Sequence, residues 1–371
     1  MACCAQLPPD WSPPPPPTME ASTARMQQYL AHFSKRSHNG PLRILYLSCH
    51  GPLEHDELKI FSELGYEWVC LAESDPITRP RASVRDERLT GCAEALQTKF
   101  GKTNPAAAPS ELLKWADVVI AMHRQEWLHA YIGVKPLIWR SIGQANSEVM
   151  LSPFRPNIFC VRMSPREASI KGYVGVDALI RFYKDPDEFT DWRGCEASAI
   201  AVMGMVKVRR LHNARVELLE HLLRNAPSRL YGLNTNKDLP GIGHGTIGYP
   251  ELKERLKDAR AFITVGSYPG PYTLSLIEAM MTGCPVVSIG KHLWAGAFPG
   301  DTHLCETSEI LSGCGVVSED IHVLRKETIK LVSQGDAGGL GAKGRARAIE
   351  LFGKKVALTN WRAVLDPIAD R

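Results

Sequence analysis

Short apolar runs alternate along this chain with stretches in which apolar residues recur at helical spacing. The first run is Leu42 to Cys49, and a helical pattern between Asp56 and Leu64 separates it from a second run, Glu67 to Ala72. Strand, helix and strand within about thirty residues form a βαβ unit, which requires a parallel sheet. The alternation starts again at Ala197 to Val206, so the pattern predicts an α/β protein with two Rossmann-like domains.

Changes in composition divide the chain further. The first 40 residues include the run Pro13 to Pro17, and we expect residues 1–40 to be a disordered, proline-rich leader. Within this leader, the spacing of Met26, Tyr29, Leu30 and Phe33 fits one face of a short helix. We place the first α/β domain at residues 41–190, the second at residues 195–352, and a last helix in the tail, residues 353–371.

The stretch from Ala261 to Gly290 predicts a strand, a loop and a helix followed by a buried strand. Thr273 is a favourable N-cap for the helix, which starts at Leu274. Glu278 lies among the apolar residues of this helix. Because burial of a carboxylate without a partner is costly, we expect Glu278 to form hydrogen bonds. The free N–H groups at the start of the helix suit a phosphate.

Polar residues follow the predicted strands of the first domain. The carboxyl ends of parallel strands meet at one edge of a sheet, so these residues are expected to line one cleft. They are His50, Gly51 and Asp56 after the first strand, His123 after the third, Arg140 and Gln144 around the end of the fourth, and Ser164 after the fifth. Asp56 fits either a base that deprotonates an acceptor hydroxyl or an ordinary residue near a helix start.

A basic loop follows the first strand of the second domain. Arg209 and Arg210 stand between this strand and the next helix, where guanidinium groups can bind phosphate oxygens in pairs. They are either ligands of a phosphate or solvated surface residues.

Overall composition narrows the classes of function. The 371 residues are 23% charged and 44% hydrophobic with a net charge of +4, which is typical of a globular protein and gives only a weak indication of anionic ligands. No apolar run has the length of a membrane span, and the first residues lack the features of a secretory signal. Ten cysteines without a Cys-x-x-Cys pair predict reduced thiols in a cytoplasmic protein without a zinc site.

The segment Leu274 to Val287 resembles the donor-site segment of retaining, nucleotide-sugar glycosyltransferases of the GT-B fold, the group 1 glycosyl transferases. That family has the pattern Leu-x-x-x-Glu-Ala-Met-x-x-Gly-x-Pro-Val-Val, which this segment matches. The family usually carries another Glu eight residues before the Glu of the pattern, and the corresponding residue here is Gly270. The segments Trp139 to Gln144 and Pro271 to Met281 are similar to the corresponding segments in a subset of these enzymes. This subset is common in bacteriophage and environmental sequences.

The resemblance implies a GT-B architecture, in which two Rossmann-like domains face each other across a cleft and the C-terminal tail returns to the first domain. It implies that the second domain binds a nucleoside-diphosphate sugar, most often a UDP-sugar, and that neither a metal nor another cofactor takes part. The donor-binding candidates are Arg209, Arg210, Arg215, Gly270, Tyr272, Thr273, Leu274 and Glu278. Glu278 is expected either to bind the ribose or to pair with a buried basic residue. His123 and Asp56 are the catalytic candidates, and His50, Gly51, Arg140, Gln144 and Ser164 are candidates for the acceptor side.

The expected function is therefore a retaining, metal-independent glycosyltransferase. The sequence does not identify the acceptor, although the phage-like subset implies a hydroxylated DNA base as one candidate. Two alternatives stay open: a nucleotide-sugar epimerase on the same scaffold, and a non-catalytic module that binds a nucleotide sugar or DNA. The second alternative follows from Gly270, where the usual acid is missing. The sequence does not indicate an oligomeric state.

Overall fold

The structure is a computed structural model, and it describes residues 7–8, 11–73, 89–205, 212–297 and 303–371. They form two compact units. The N-terminal unit consists of Pro13–Tyr183 and Lys354–Arg371, and the C-terminal unit consists of Lys184–Gly353 with the described residues before Pro13. Residues 184–190, which the sequence analysis assigned to the first domain, therefore belong by their contacts to the C-terminal unit.

A six-stranded parallel sheet forms the centre of the N-terminal unit. Its strands are β1 (Arg43–Ser48), β2 (Glu67–Ala72), β3 (Val118–Met122), β4 (Leu137–Arg140), β5 (Phe159–Arg162) and β6 (Ala178–Leu179). They lie in the order β2-β1-β3-β4-β5-β6, and all pairs are parallel. Every residue of β3, β4 and β5 is buried, as in strands covered on both faces. The chain changes direction across the sheet between β1 and β3, and ligands of such sheets bind beyond the carboxyl ends at this switch point.

The helix α1 (Met19–Leu30) precedes β1. The helices between the strands are α2 (Gly51–Glu63), α3 (Glu94–Phe100) and α4 (Ser110–Trp115), with 3₁₀ turns at Pro105–Ala107, Gln125–Ala130, Val149–Asn157 and Pro165–Ser169. Pro52 occupies the first turn of α2, where a missing N–H costs nothing.

The C-terminal unit contains a second six-stranded parallel sheet. Its strands are β7 (Glu196–Met205), β8 (Ser228–Leu233), β9 (Gly243–Gly245), β10 (Ala259–Thr264), β11 (Val286–Ile289) and β12 (Val316–Ser318), in the order β12-β11-β10-β7-β8-β9. Its helices are α5 (His212–Leu223), α6 (Thr235–Asp238), α7 (Tyr249–Asp258), α8 (Leu274–Thr282), α9 (Lys291–Ala297), α10 (Thr307–Ile310), α11 (Ile321–Gln334) and α12 (Leu340–Phe352). The switch point of this sheet lies between β7 and β10, which are paired.

The tail forms α13 (Lys354–Ala369), which belongs to the N-terminal unit. The indole of Trp361 is 1% exposed and meets the ring of Phe61 on α2 edge to face, with the ring centroids 5.1 Å apart. Burial of such large aromatic surfaces fixes the tail to the N-terminal sheet layer.

The expectation that residues 1–40 are disordered is wrong for α1. Met26, Tyr29 and Leu30 are at most 4% exposed, and α1 packs against α13. The apolar spacing within the leader was the correct signal. The proline-rich composition misled the prediction because the surface that covers this apolar face comes from the opposite end of the chain.

Polar contacts also anchor α1. The Tyr29 hydroxyl accepts a hydrogen bond from the Leu137 N–H at 3.0 Å and donates one to the Asn157 carbonyl oxygen at 3.0 Å. Arg25 Nε lies 3.0 Å from Asp177 Oδ1. These bonds satisfy backbone groups at the amino ends of β4 and β5, so α1 is an integral part of the unit.

The helices that the structure describes include none with both the length and the apolar character needed to cross a membrane.

Candidate functional site

The switch point of the C-terminal sheet coincides with the start of α8. The chain leaves β10 through the loop 265–273 and enters α8 at Leu274, with Thr273 as the N-cap. The Thr273 hydroxyl accepts a hydrogen bond from the Leu276 N–H at 3.2 Å, as predicted for a capping residue. At the other end, Gly283 closes the helix with φ of 89°, a backbone angle that favours glycine. The predicted helix is therefore confirmed, with its positive end at the switch point.

The loop before α8 is held close to its own unit. At Gly266, φ is 75° and a Cβ atom would lie 2.7 Å from Trp294 Nε1, so only glycine fits. Tyr272 is 4% exposed and packs against the ring of Phe352 at 5.3 Å. Gly270 is buried, but a Cβ atom there would meet only Ser267, at 3.7 Å or more. This position thus has room for a Cβ atom.

Glu278 lies on α8 and is almost fully buried, as predicted. Its Oε1 atom is 3.0 Å from Nζ of Lys184, and the two side chains are 7% and 2% exposed. The partner of the buried carboxylate is therefore a lysine of the same unit. Sequence reasoning missed Lys184 because it lies in the segment that leads from one unit to the other, far from α8 along the chain.

Aromatic rings surround Lys184. Its Nζ atom lies 3.3 Å from the Tyr249 hydroxyl, 5.5 Å from the Tyr249 ring centroid and 5.9 Å from the ring centroid of Phe189. Arg345 holds the same segment from α12, because its guanidinium donates to the carbonyl oxygens of Phe189, Pro186 and Met281, the last of these in α8. A lysine in aromatic surroundings was the signal available in the sequence.

The basic loop after β7 follows the strand that borders β10, which topology places at the same switch point. Arg209 and Arg210 lie outside the described residues, and so does the side chain of Arg215. Their contacts with a phosphate stay a prediction.

In the N-terminal unit, His50 and His123 follow β1 and β3, the two strands at the switch point. His50 is the N-cap of α2 by position, although its side chain makes no capping bond, and Gly51 is the first residue of α2. His123 has φ of 59°, which is rare for a residue other than glycine and is often found at functional sites.

The His123 side chain is partly buried, and its Nδ1 atom has no hydrogen-bond partner in the described part of the chain. Its backbone is fixed by two bonds: its N–H donates to the Arg140 carbonyl at 2.8 Å, and its carbonyl accepts from Trp139 Nε1 at 3.1 Å. Burial, and next the positive charge of Arg124, lower the pKa of His123 from 6.5 to about 4. At neutral pH this imidazole is uncharged and has one nitrogen that can accept a proton or a hydrogen bond.

An ion pair lies at the same edge. Arg124 follows His123 directly, and its Nη2 atom is 2.7 Å from Oε2 of Glu73, the residue after β2. Both side chains are about two-fifths exposed, so this pair adds little to stability. The pair joins the residues that follow β2 and β3, the two strands that flank β1.

The other predicted cleft residues differ in their surroundings. Arg140 is 1% exposed, and its Nε donates to Glu57 of α2 at 2.7 Å, so it lies in the core rather than at the open edge. Ser164 is also 1% exposed and caps the 3₁₀ turn that follows β5. Gln144 is exposed, and Asp56 is a buried residue in the second turn of α2.

A buried network that the sequence did not indicate supports this edge. Arg162 forms a two-pronged pair with Glu148, with 2.8 Å between Nη2 and Oε2, and both residues are at most 1% exposed. Glu167 accepts from the N–H groups of Met163 and Ser164 at 2.8 and 3.0 Å and from the Ser141 hydroxyl. These residues bond to one another, so their role is to fix the loops after β4 and β5.

The comparisons with known proteins show the fold. No protein-family model matches the chain, and no curated protein matches it significantly. Among solved structures, the chain is similar to Anabaena Alr3699/HepE in complex with UDP and glucose, with a TM-score of 0.60, 11% identity, and coverage of 85% of this chain and 97% of that one.

Two further structures give the same result. A glycosyltransferase from Rickettsia africae has a TM-score of 0.60, 12% identity, and coverage of 89% of this chain and 100% of its own. AviGT4, a glycosyltransferase involved in avilamycin A biosynthesis, has a TM-score of 0.55, 16% identity, and coverage of 89% and 99%. At these identities the likeness concerns the fold, and it confirms the α/β, GT-B-type architecture expected from the sequence.

Proposed function

We propose that this protein is a retaining, metal-independent glycosyltransferase that uses a nucleoside-diphosphate sugar. The observation that carries the proposal is the meeting of three features at one switch point: the capped start of α8, the buried Glu278 on the same helix, and the strand that precedes Arg209. In parallel sheets, ligands bind at such a point, and a helix start with free N–H groups suits a diphosphate.

The donor is proposed to lie along this switch point. Arg209, Arg210 and Arg215 neutralise the diphosphate together with the N–H groups at Leu274, while Glu278 accepts hydrogen bonds from the ribose hydroxyls. A UDP-sugar is the first donor to test, because the related HepE was solved with UDP and with UDP-glucose. Because Gly270 has no side chain, the backbone of the loop 268–272 is proposed to contact the donor sugar.

On the acceptor side, His123 is proposed to face the reacting sugar as a neutral imidazole. Its low pKa, its fixed backbone and the lack of a partner for its Nδ1 atom among the described residues support this role. Asp56, His50, Gly51 and Gln144 stay acceptor-side candidates. The buried Arg140 and Ser164 are proposed to support the loops there rather than to touch the acceptor.

Metal independence is part of this proposal, and chelation tests it. A cytoplasmic location is proposed because the described cysteines are free thiols.

A hydroxylated DNA base is the first acceptor to test. If duplex DNA is the acceptor, its binding should weaken steeply with salt, because phosphate contacts release counterions. A flat salt profile would exclude this acceptor.

The test is calorimetric titration of the protein with UDP and with UDP-sugars, followed by assays of sugar transfer and hydrolysis with and without EDTA. We expect UDP to bind, Glu278→Ala to weaken binding at least tenfold, and EDTA to have no effect. Glu350→Ala is the control, since Glu350 is an exposed residue of α12 whose partner is Arg347.

Three results would contradict the proposal: no binding of any nucleotide, equal behaviour of the two variants, or loss of activity on chelation. Retention is read from the anomeric configuration of the first product. A changed sugar without any acceptor would instead indicate an epimerase. Tight donor binding without turnover would indicate the non-catalytic module that Gly270 allows.

A further inference from the structure

The ion pair between Lys184 and Glu278 is built into the C-terminal unit from several sides. The Lys184 backbone N–H donates to the Phe352 carbonyl at 3.0 Å, which fixes the start of the side chain. At its far end, Nζ reaches Glu278 Oε1 at 3.0 Å and the Tyr249 hydroxyl at 3.3 Å. A lysine held at both ends has lost the freedom that makes surface lysines weak partners.

The segment that carries Lys184 is fixed as well. The guanidinium of Arg345 binds the carbonyl oxygens of Pro186 and Phe189 on this segment and that of Met281 on α8. One side chain thus connects the segment to the helix that carries Glu278. The geometry of the ion pair is set by this framework and not only by attraction between the two charges.

Lys184 places an ammonium group directly beside the buried Glu278 carboxylate. A carboxylate this deeply buried keeps its charge only if a cation compensates for the lost hydration. The ionised group has two oxygens and about four acceptor positions, so an ammonium at Oε1 leaves acceptor capacity at Oε2. A vicinal diol needs an ionised carboxylate in one orientation, because both of its hydroxyls donate.

We infer that Lys184 is a positioning residue for nucleotide recognition: it holds the Glu278 carboxylate in the orientation that accepts hydrogen bonds from the ribose hydroxyls of the donor. This inference rests on the proposed function. It adds that the segment leading from one unit to the other takes part in reading the ribose. The competing explanation is that the pair only stabilises the fold.

The experiment separates the two explanations by changing the ligand and the protein together. Dissociation constants of UDP and of 2′,3′-dideoxy-UDP are measured by calorimetry for the wild type, Lys184→Met and Lys253→Met. Lys253 is a matched control, since its Nζ atom lies over the same two rings, 5.2 Å from Tyr249 and 5.9 Å from Phe189, while its ion-pair partner is Glu188. The readout is the ratio of the two constants in each protein.

We expect the dideoxy ligand to bind the wild type and Lys253→Met about 10- to 100-fold more weakly than UDP, as for lost hydrogen bonds to a charged group. In Lys184→Met the ratio should fall below about threefold. Should Lys184→Met not fold, Lys184→Gln gives the same test, because its amide still offers a donor to the buried carboxylate. The inference would be overturned if the variant used, Lys184→Met or Lys184→Gln, kept the wild-type ratio of the two dissociation constants. The ion pair would then have only a structural role.

Failure of the inference differs from failure of the proposed function. If the wild type binds UDP but does not distinguish the dideoxy ligand, Glu278 does not read the ribose and the inference is overturned while nucleotide binding stands. If the wild type binds neither ligand, the proposed function fails, and the inference fails with it.

Discussion

The low pKa of His123 gives a pH dependence that can be measured without any substrate. Burial, with the nearby charge of Arg124, disfavours the imidazolium in the folded protein and lowers its pKa from 6.5 to about 4. In the unfolded chain the imidazole is hydrated and titrates near its ordinary value. Between these two values the unfolded state binds more protons than the folded state, so stability falls as the pH falls.

The magnitude follows from the two pKa values. One pKa unit corresponds to about 1.4 kcal/mol. Protonation of His123 should therefore remove about 3 kcal/mol of folding free energy in total, and this loss is complete only below the folded pKa. Between about pH 7.5 and pH 5, acidification should remove about 2 kcal/mol of folding free energy through this one group. Above the unfolded pKa the contribution is fully present and changes little.

The assay compares the wild type with His123→Asn. Asparagine tolerates the φ of 59° at this position and does not titrate, so its loss of packing is the same at every pH. Urea unfolding across the pH range should give a steeper loss of stability on acidification for the wild type. NMR titration of the histidine ring protons, assigned by the signal missing from the variant, measures the pKa directly. A midpoint near 6, or parallel stability curves for the two proteins, would refute the reasoning.

Two further predictions concern the stability of the fold. Gly266→Ala should cost about 2 to 3 kcal/mol, because its Cβ would lie 2.7 Å from Trp294 Nε1 at a φ of 75°, whereas Gly270→Ala should stay within about 0.5 kcal/mol since its Cβ has room. Chemical denaturation of both variants checks this, and an equal loss would contradict it. Arg162→Met should cost about 3 to 5 kcal/mol because it leaves the buried Glu148 carboxylate without its cation. Replacing both partners by methionine should restore part of the loss, and no restoration would argue against the ion pair as the cause.

Local signals predicted α8 well. Thr273, the apolar spacing of α8 and the glycine at position 283 lie within one short segment, so capping and periodicity were sufficient to place the helix. The order of strands and helices also sufficed for two parallel sheets, because a βαβ crossover leaves few other arrangements.

Contacts between distant parts of the chain could not be predicted in this way. Nothing near Glu278 in the sequence indicates that Lys184 is its partner. The left-handed backbone of His123 could not be predicted either, because few residues other than glycine adopt it, even though histidine is enriched among them. Arg140 and Ser164 follow the pattern of open-edge residues in the sequence. In the structure, however, Arg140 pairs with the buried Glu57, and Ser164 caps the 3₁₀ turn after β5.

The division of the N-terminal unit into two pieces of chain has a consequence for synthesis. Its tail piece, Lys354–Arg371, is translated only after the whole of Lys184–Gly353. At about 5 to 20 residues per second, that interval lasts roughly 10 to 30 seconds. During it the surfaces that α13 covers, including the ring of Phe61, have no partner on the ribosome. The N-terminal unit, although its synthesis begins first, can therefore complete its fold only after the whole of Lys184–Gly353 has been translated.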